Sequence, residues 1–343
     1  MQNPLEKFPK NLLLTLVVVL SSLAFSPALF AANELNLEAT TRDAIVPFFR
    51  THIRRATFKA FDGRTISYAV FKSDHSRATI VISPGRTESI EMYAETIYDF
   101  ASAGFDVAAI DHRGQGRSER LVASDAGHVG KFEDYVKDFA QFTELKAVKD
   151  LTGDQFLVSH SMGSTIAGLF TLANPTRFKK LVMVAPMIEI KAAPVNEMIL
   201  ANVVGWAETF GYQNSYAPTR SAFDLSYRFN QNGFTHSPYR YAFNHALLRT
   251  HHQLIVGGPT NNWVSESIRA TRSLRNLSGE ITLPTLVFSA GADFIVESNA
   301  QTTFCAVAKN CKLVKIPGAN HCLFLESDAY RAPMMTKLLG FLR

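Results

Sequence analysis

The stretch Gln155-Phe156-Leu157-Val158-Ser159-His160-Ser161-Met162-Gly163-Ser164-Thr165-Ile166-Ala167-Gly168 restricts this chain more than any other. A short apolar run passes, with no loop between, into residues with a helical pattern, so the backbone has to reverse direction at Ser161. A turn that tight brings backbone against backbone, and the positions two before and two after the turning residue must be small. Gly163 meets this need fully, and Ser159 meets it less well than glycine would. The arrangement lifts one hydroxyl above the sheet edge, beside the N–H groups and positive dipole end of the helix that follows. Ser161 is therefore a candidate nucleophile. A serine there also suits a plain helix cap, so the assignment depends on partners elsewhere in the chain.

The rest of the chain supplies a sheet for that turn. Thr57 to Phe61 and Thr65 to Phe71 flank Asp62-Gly63-Arg64, which predicts an antiparallel hairpin. Short apolar strands then alternate with helices: a strand over 78–82, a helix over about 88–103, a strand over 107–110, a helix over 132–148, the turn at Ser161, and a strand over 181–185. After an interruption come a strand over 285–289, a helix near 297–309, a strand over 312–316 and a closing helix from Ala329. Continuous apolar strands between amphipathic helices predict an α/β fold, a mostly parallel doubly wound sheet covered on both faces. The interruption, residues 187–281, has a different texture. Val195, Ile199, Val203, Trp206 and Phe210 recur there at helical spacing, which predicts an apolar face buried against the rest of the protein. An insertion leaving the carboxyl end of a strand is also placed to cover a site, so the segment reads as a mainly helical cap.

Acyl transfer through serine needs a base for the hydroxyl proton, a carboxylate to orient that base, and donors for the oxyanion. Asp293 follows one apolar strand directly, and His321 lies in the loop after the next, so Ser161, Asp293 and His321 fall in the chain order of an α/β-hydrolase triad. Glu297 is the alternative acid. The backbone N–H of Met162 is the first candidate oxyanion donor, and that of Arg86, in the loop Ser83-Pro84-Gly85-Arg86-Thr87-Glu88, is the second. No cofactor is expected, and no metal-ligand spacing occurs. The formal net charge of +5, without a basic stripe, argues against nucleic acid and supports at most an attraction to anionic lipid surfaces.

Several further motifs accompany these residues. Ser83-Pro84-Gly85-Arg86-Thr87-Glu88-Ser89, Asp111-His112-Arg113-Gly114-Gln115-Gly116-Arg117-Ser118, Gly127-His128-Val129, Ser159-His160-Ser161-Met162-Gly163, Thr235-His236-Ser237 and Gly257-Gly258-Pro259-Thr260 lie along the chain in this order. Together they resemble the bacterial lysophospholipases of the monoacylglycerol-lipase-like (serine aminopeptidase S33-type) α/β-hydrolases, from about Phe49 to the carboxyl end. The resemblance implies an α/β-hydrolase fold with a cap and puts Ser161, Asp293 and His321 on the triad positions. Ser159 and Ser164 depart from it, where glycine or alanine is commoner. The implied activity is cleavage of the acyl ester of a single-chain lipid, lysophospholipid first, with monoacylglycerol lipase or general carboxylesterase as alternatives. A catalytically silent lipid-binding module on the same fold is the alternative of a different class. The expected partners are the lipid substrate and a membrane surface.

At the amino terminus Lys7 and Lys10 precede the apolar run 12–20, which leads through Pro27 to Ala31 and Ala32. That order predicts an exported, periplasmic or membrane-associated protein with residues 1–32 as a signal peptide; an uncleaved inner-membrane anchor is the alternative. An exported chain meets oxidant, and Cys305 and Cys311 close a short loop suited to a disulfide, leaving Cys322 as the odd thiol.

Overall fold

The computed structural model describes residues 34–343, Ala193 apart; the predicted signal or anchor segment lies outside the described residues. Strands β1 (Arg54–Lys59) and β2 (Thr65–Phe71) form the antiparallel hairpin, with Phe58 opposite Ile66 and Gly63 in the left-handed region at φ 84°. Six strands follow: β3 (Ala78–Ser83), β4 (Phe105–Ile110), β5 (Asp154–His160), β6 (Leu181–Val184), β7 (Thr285–Ala290) and β8 (Cys311–Ile316). Their order in one sheet is β1-β2-β4-β3-β5-β6-β7-β8. Pairing is antiparallel from β1 through β2 to β4, and parallel everywhere else.

Side-chain alternation on these strands builds two cores, one on each face. Val81, Leu157, Met183 and Val287 face helices α3 (Phe132–Glu144), α4 (Met162–Ala173), α7 (Asn261–Leu277) and α8 (Ser298–Val307). Ile80, Ile82, Val158, Val182 and Phe288 face α2 (Ala94–Ser102), α9 (Asp328–Leu342) and Phe48 and Phe49 of α1 (Val46–His52). After β3 the chain winds outward through α2 to β4, then returns under the other face through α3 to β5. The winding reverses between β3 and β5, which stay paired through Ser83 and Ser159 while their onward connections leave to opposite faces, the place where open α/β sheets put their ligand sites.

Local boundaries differ from the expectations in places. The helix expected from Glu88 begins with a 3-10 turn over Ile90–Tyr93, where the Ile90 N–H donates to Asp111 Oδ1 and the Glu88 carbonyl accepts from Gln115 Nε2. The helix expected over 132–148 breaks at Leu145, whose ψ of 135° is extended.

Between β6 and β7 the chain carries α5 (Glu197–Thr209), α6 (Pro238–Thr250) and α7. This stretch divides in two, because α7 belongs to the layer covering the sheet, where Trp263, Ile268 and Leu274 are core residues. The expected buried face of α5 requires correction: Trp206 and Phe210 are 72% and 75% exposed, and Val195, Ile199 and Val203 are exposed with them. The face formed by Glu197, Leu200, Val204 and Glu208 turns inward instead. Glu197 pairs with Arg272 and Arg275 of α7 at 2.7 and 3.0 Å, Glu208 with Arg269 at 3.3 Å, and Val204 is fully buried between them. Apolar residues surround this helix, so its ion pairs decide which side docks.

Candidate active site

Ser161 stands at the crossing from β5 to α4 with φ 49° and ψ −120°, a conformation that costs a side-chain-bearing residue on the order of 1–3 kcal/mol. Its surroundings hold it there. The Ser161 N–H donates to Val184 O on β6, the Ser161 carbonyl accepts from Met187 N–H, and Gly163 seats against the loop after β3. A Cβ at Gly163 would lie 2.1 Å from Ser83 O and 2.4 Å from Pro84 O, so this position admits no side chain without displacing the loop. Ser159, the imperfect member of the motif, donates its hydroxyl to Val182 O at 3.0 Å and meets Ser164 Oγ at 3.0 Å. Two serines where glycine or alanine is commoner thus satisfy each other.

His321 Nε2 lies 2.9 Å from Ser161 Oγ, and His321 Nδ1 lies 2.7 Å from Asp293 Oδ2. All three residues are buried. The other oxygen of Asp293 accepts the N–H groups of Ile295 and Val296 at 2.9 and 3.1 Å. Burial works to raise the Asp293 carboxyl, but the bond and charge of His321 and these two N–H groups outweigh it and hold the group below its ordinary range. An ionised Asp293 fixes a proton on Nδ1, which leaves Nε2 free to accept from serine. Glu297, the alternative acid, makes no bond to His321 among the described residues; its N–H donates to Glu189 O.

The loop Ser83 to Glu88 packs on the turn, and Thr87 in it is also strained, at φ 68°. Among the described residues no group accepts from the backbone N–H of Met162 or of Arg86. The Arg86 guanidinium turns away, donates to Gly257 O at 2.8 Å and lies over the Trp263 ring; burial lowers its pKa to about 10.

The insertion is rooted on both loops that carry Asp293 and His321. Lys191 N–H donates to Ile295 O and Glu297 N–H to Glu189 O, just past Asp293. Cys322 N–H donates to Phe234 O, Thr235 Oγ1 donates to Leu325 O, and Glu326 accepts from both His236 N–H and Asn320 N–H. The Thr235-His236-Ser237 motif is thus a seam between the cap and the His321 loop.

Sequence reasoning passed over Glu88 and His160 as site residues. His160 Nδ1 lies 2.8 Å from Glu88 Oε1, and His160 Nε2 donates to the His321 carbonyl at 3.2 Å. The only signal was a histidine inside the motif itself. Glu88, His160 and Cys322 also bring three ligand-type atoms within 4.8 Å of one another, although the first two already bind each other. Cys305 and Cys311 are joined by a disulfide across the α8 to β8 connection, and Cys322 is free.

A profile of the family described as serine aminopeptidase, S33, matches residues 74–328, well over half of the chain. The chain belongs to this S33 hydrolase family. Lysophospholipase L2 of Escherichia coli (strain K12) is 32% identical over 312 residues, 88% of this chain and 91% of that protein. Human monoglyceride lipase is 28% identical over 265 residues, 73% of this chain and 77% of that protein. Among solved structures, a soluble variant of monoglyceride lipase from Saccharomyces cerevisiae with a substrate analog aligns at a TM-score of 0.67 and 16% identity, covering 85% of this chain and 95% of that one. That likeness establishes the α/β-hydrolase fold. The S33 match spans Ser161, Asp293 and His321, the hydrogen-bonded line just described.

Proposed function

We propose that this protein is a serine hydrolase cleaving the acyl ester of single-chain lipids, lysophospholipid first and monoacylglycerol second. The observation that carries the reading is the bonded line Ser161–His321–Asp293 on a strained turn, and the likeness to lysophospholipase L2 supports the substrate class. Ser161 Oγ attacks the ester carbonyl while His321 Nε2 takes its proton, and Asp293 holds the resulting imidazolium. The N–H groups of Met162 and Arg86 receive the oxyanion. His321 then returns the proton to the leaving alcohol, and water repeats the sequence on the acyl-enzyme.

The protein works at a lipid surface, exported by residues 1–32. Supporting the surface role, Met198, Ile199, Trp206 and Phe210 expose apolar side chains on the cap. A fluorophosphonate probe followed by a substrate panel tests the proposal. Labelling at Ser161, with lysophospholipid turned over faster than monoacylglycerol and both faster than a short-chain ester, is the expected result. An unlabelled, folded protein that still binds lipid would establish the silent binding module instead.

A further inference from the structure

We propose that Glu88 and His160 are a positioning pair for the reaction, an internal ion pair that locks the loop of the second oxyanion donor to the loop of the general base. The inference rests on the serine-hydrolase reading and adds to it two residues whose side chains make no hydrogen bond to the Ser161 hydroxyl, although His160 directly precedes it in the chain.

Contacts and electrostatics together set the state of the pair. His160 Nε2 faces the His321 carbonyl, an acceptor only, so Nε2 carries a hydrogen. Glu88 Oε2 accepts the Gly85 N–H and, at 2.6 Å, the Tyr93 hydroxyl, which suits an ionised carboxylate. The remaining contact, His160 Nδ1 to Glu88 Oε1 at 2.8 Å, is an ion-pair approach rather than an aligned hydrogen bond, and the opposed shifts of the two groups, His160 raised and Glu88 lowered, put the proton on Nδ1. His160 is an imidazolium and Glu88 a carboxylate, both buried in the core of the site. Each holds one side of the machinery. Glu88 grips Gly85, the residue before Arg86, and Gln115 Nε2 clamps the same loop through the Gly85 and Glu88 carbonyls at 2.7 and 2.9 Å. His160 grips the backbone of His321, with its ring centroid 5.0 Å from the His321 ring. A Cβ on Gly85 would fall 2.8 Å from His160 Nδ1, so loop and ring are in direct contact.

Of the groups facing the pair, the ionised Asp293 adds to the raising of His160. Burial keeps the Tyr93 hydroxyl and the Cys322 thiol protonated and pushes His112 down to about 3, hence neutral; Asp293, His321 and Glu326 complete the surroundings. Burial opposes both charges of the pair, yet Glu88 raises His160, and His160 together with Tyr93 and Gly85 lowers Glu88. The signs set the window. Coupling is lost as pH falls through the lowered value of Glu88 or rises through the raised value of His160, so the pair confers an alkaline decline in turnover.

The test uses the full chain with one short-chain ester, after confirming that the wild type is labelled by fluorophosphonate; absence of labelling would refute the hydrolase reading rather than the pair. Glu88→Gln and His160→Gln are each expected to lower kcat on the order of tenfold to a hundredfold, through misplacement of reacting groups, with KM within about twofold. The double variant should fall no further than the worse single one, as members of one unit do. The alkaline limb of the wild-type kcat profile should be absent in His160→Gln. Additive losses, or an alkaline limb that survives in His160→Gln, overturn the pair. Should Glu88→Gln melt below the assay temperature, Tyr93→Phe removes one neutral donor from the same oxygen; an unchanged kcat in that folded variant together with a surviving limb in His160→Gln overturns it equally.

Discussion

The turn at Ser161 and the helix α5 of the cap are both apolar stretches of similar length, yet they are built in opposite ways. Around Ser161, backbone strain, close contacts with the loop after β3 and hydrogen bonds to β6 leave one arrangement. On α5 the inward face is held through ion pairs to α7, and its largest apolar residues face outward. The first region fixes reacting atoms and tolerates little change; the second presents an apolar surface whose composition can vary without touching them. Rate should therefore answer to the turn and its partners, and preference for aggregated lipid to the cap.

The largest effect belongs to Ser161→Ala, which should remove essentially all esterase activity, a loss of up to about a millionfold in kcat, while circular dichroism and melting temperature stay near the wild type. Residual activity approaching the wild type would dissolve the contrast between the two regions at its root. Asp293→Asn comes next. It should lower kcat by up to about ten-thousandfold with KM nearly unchanged, because the imidazole loses its orienting charge and tautomer. If Glu297→Gln proved the more damaging change, the acid would have to be reassigned.

The smallest effect is the one that sharpens the comparison. The double substitution Trp206→Ser, Phe210→Ser should leave hydrolysis of a soluble short-chain ester within about twofold. Hydrolysis of lysophospholipid presented on vesicles should fall roughly tenfold, following the lost burial of two large apolar side chains. An equal loss on both substrates, measured side by side, would mean that α5 supports the site rather than the surface.

The sequence made the turn legible because a tight crossing leaves covalent marks: Gly163 at a fixed offset, an apolar run before it, and an acid and a histidine each just past a later strand. Strand identity was legible for the same local reason. The side on which α5 docks was not, since apolar residues surround that helix and the choice falls to Glu197 and Glu208 meeting arginines some 60 to 80 positions away. The Glu88–His160 pair is likewise tertiary, two ordinary residues brought together where the sheet reverses its winding. The lead-in helix α1 also escaped notice. It packs Phe48 and Phe49 under the sheet, but its seven residues are too few to show a helical period.

The seams that bind the cap to the loops of Asp293 and His321 have a consequence for exchange of parts between relatives. Glu189 and Lys191 are hydrogen-bonded to the acid's loop, and Phe234, Thr235 and His236 to the base's loop, so both flanks of the insertion double as supports for the chemistry. A chimera cut at the strand ends, replacing everything between β6 and β7, would take these supports away along with α7 and its share of the core. The exchangeable module is shorter. It begins after Lys191 and ends before Phe234, and a foreign segment spliced between those points would inherit an intact acid, base and floor while bringing its own roof.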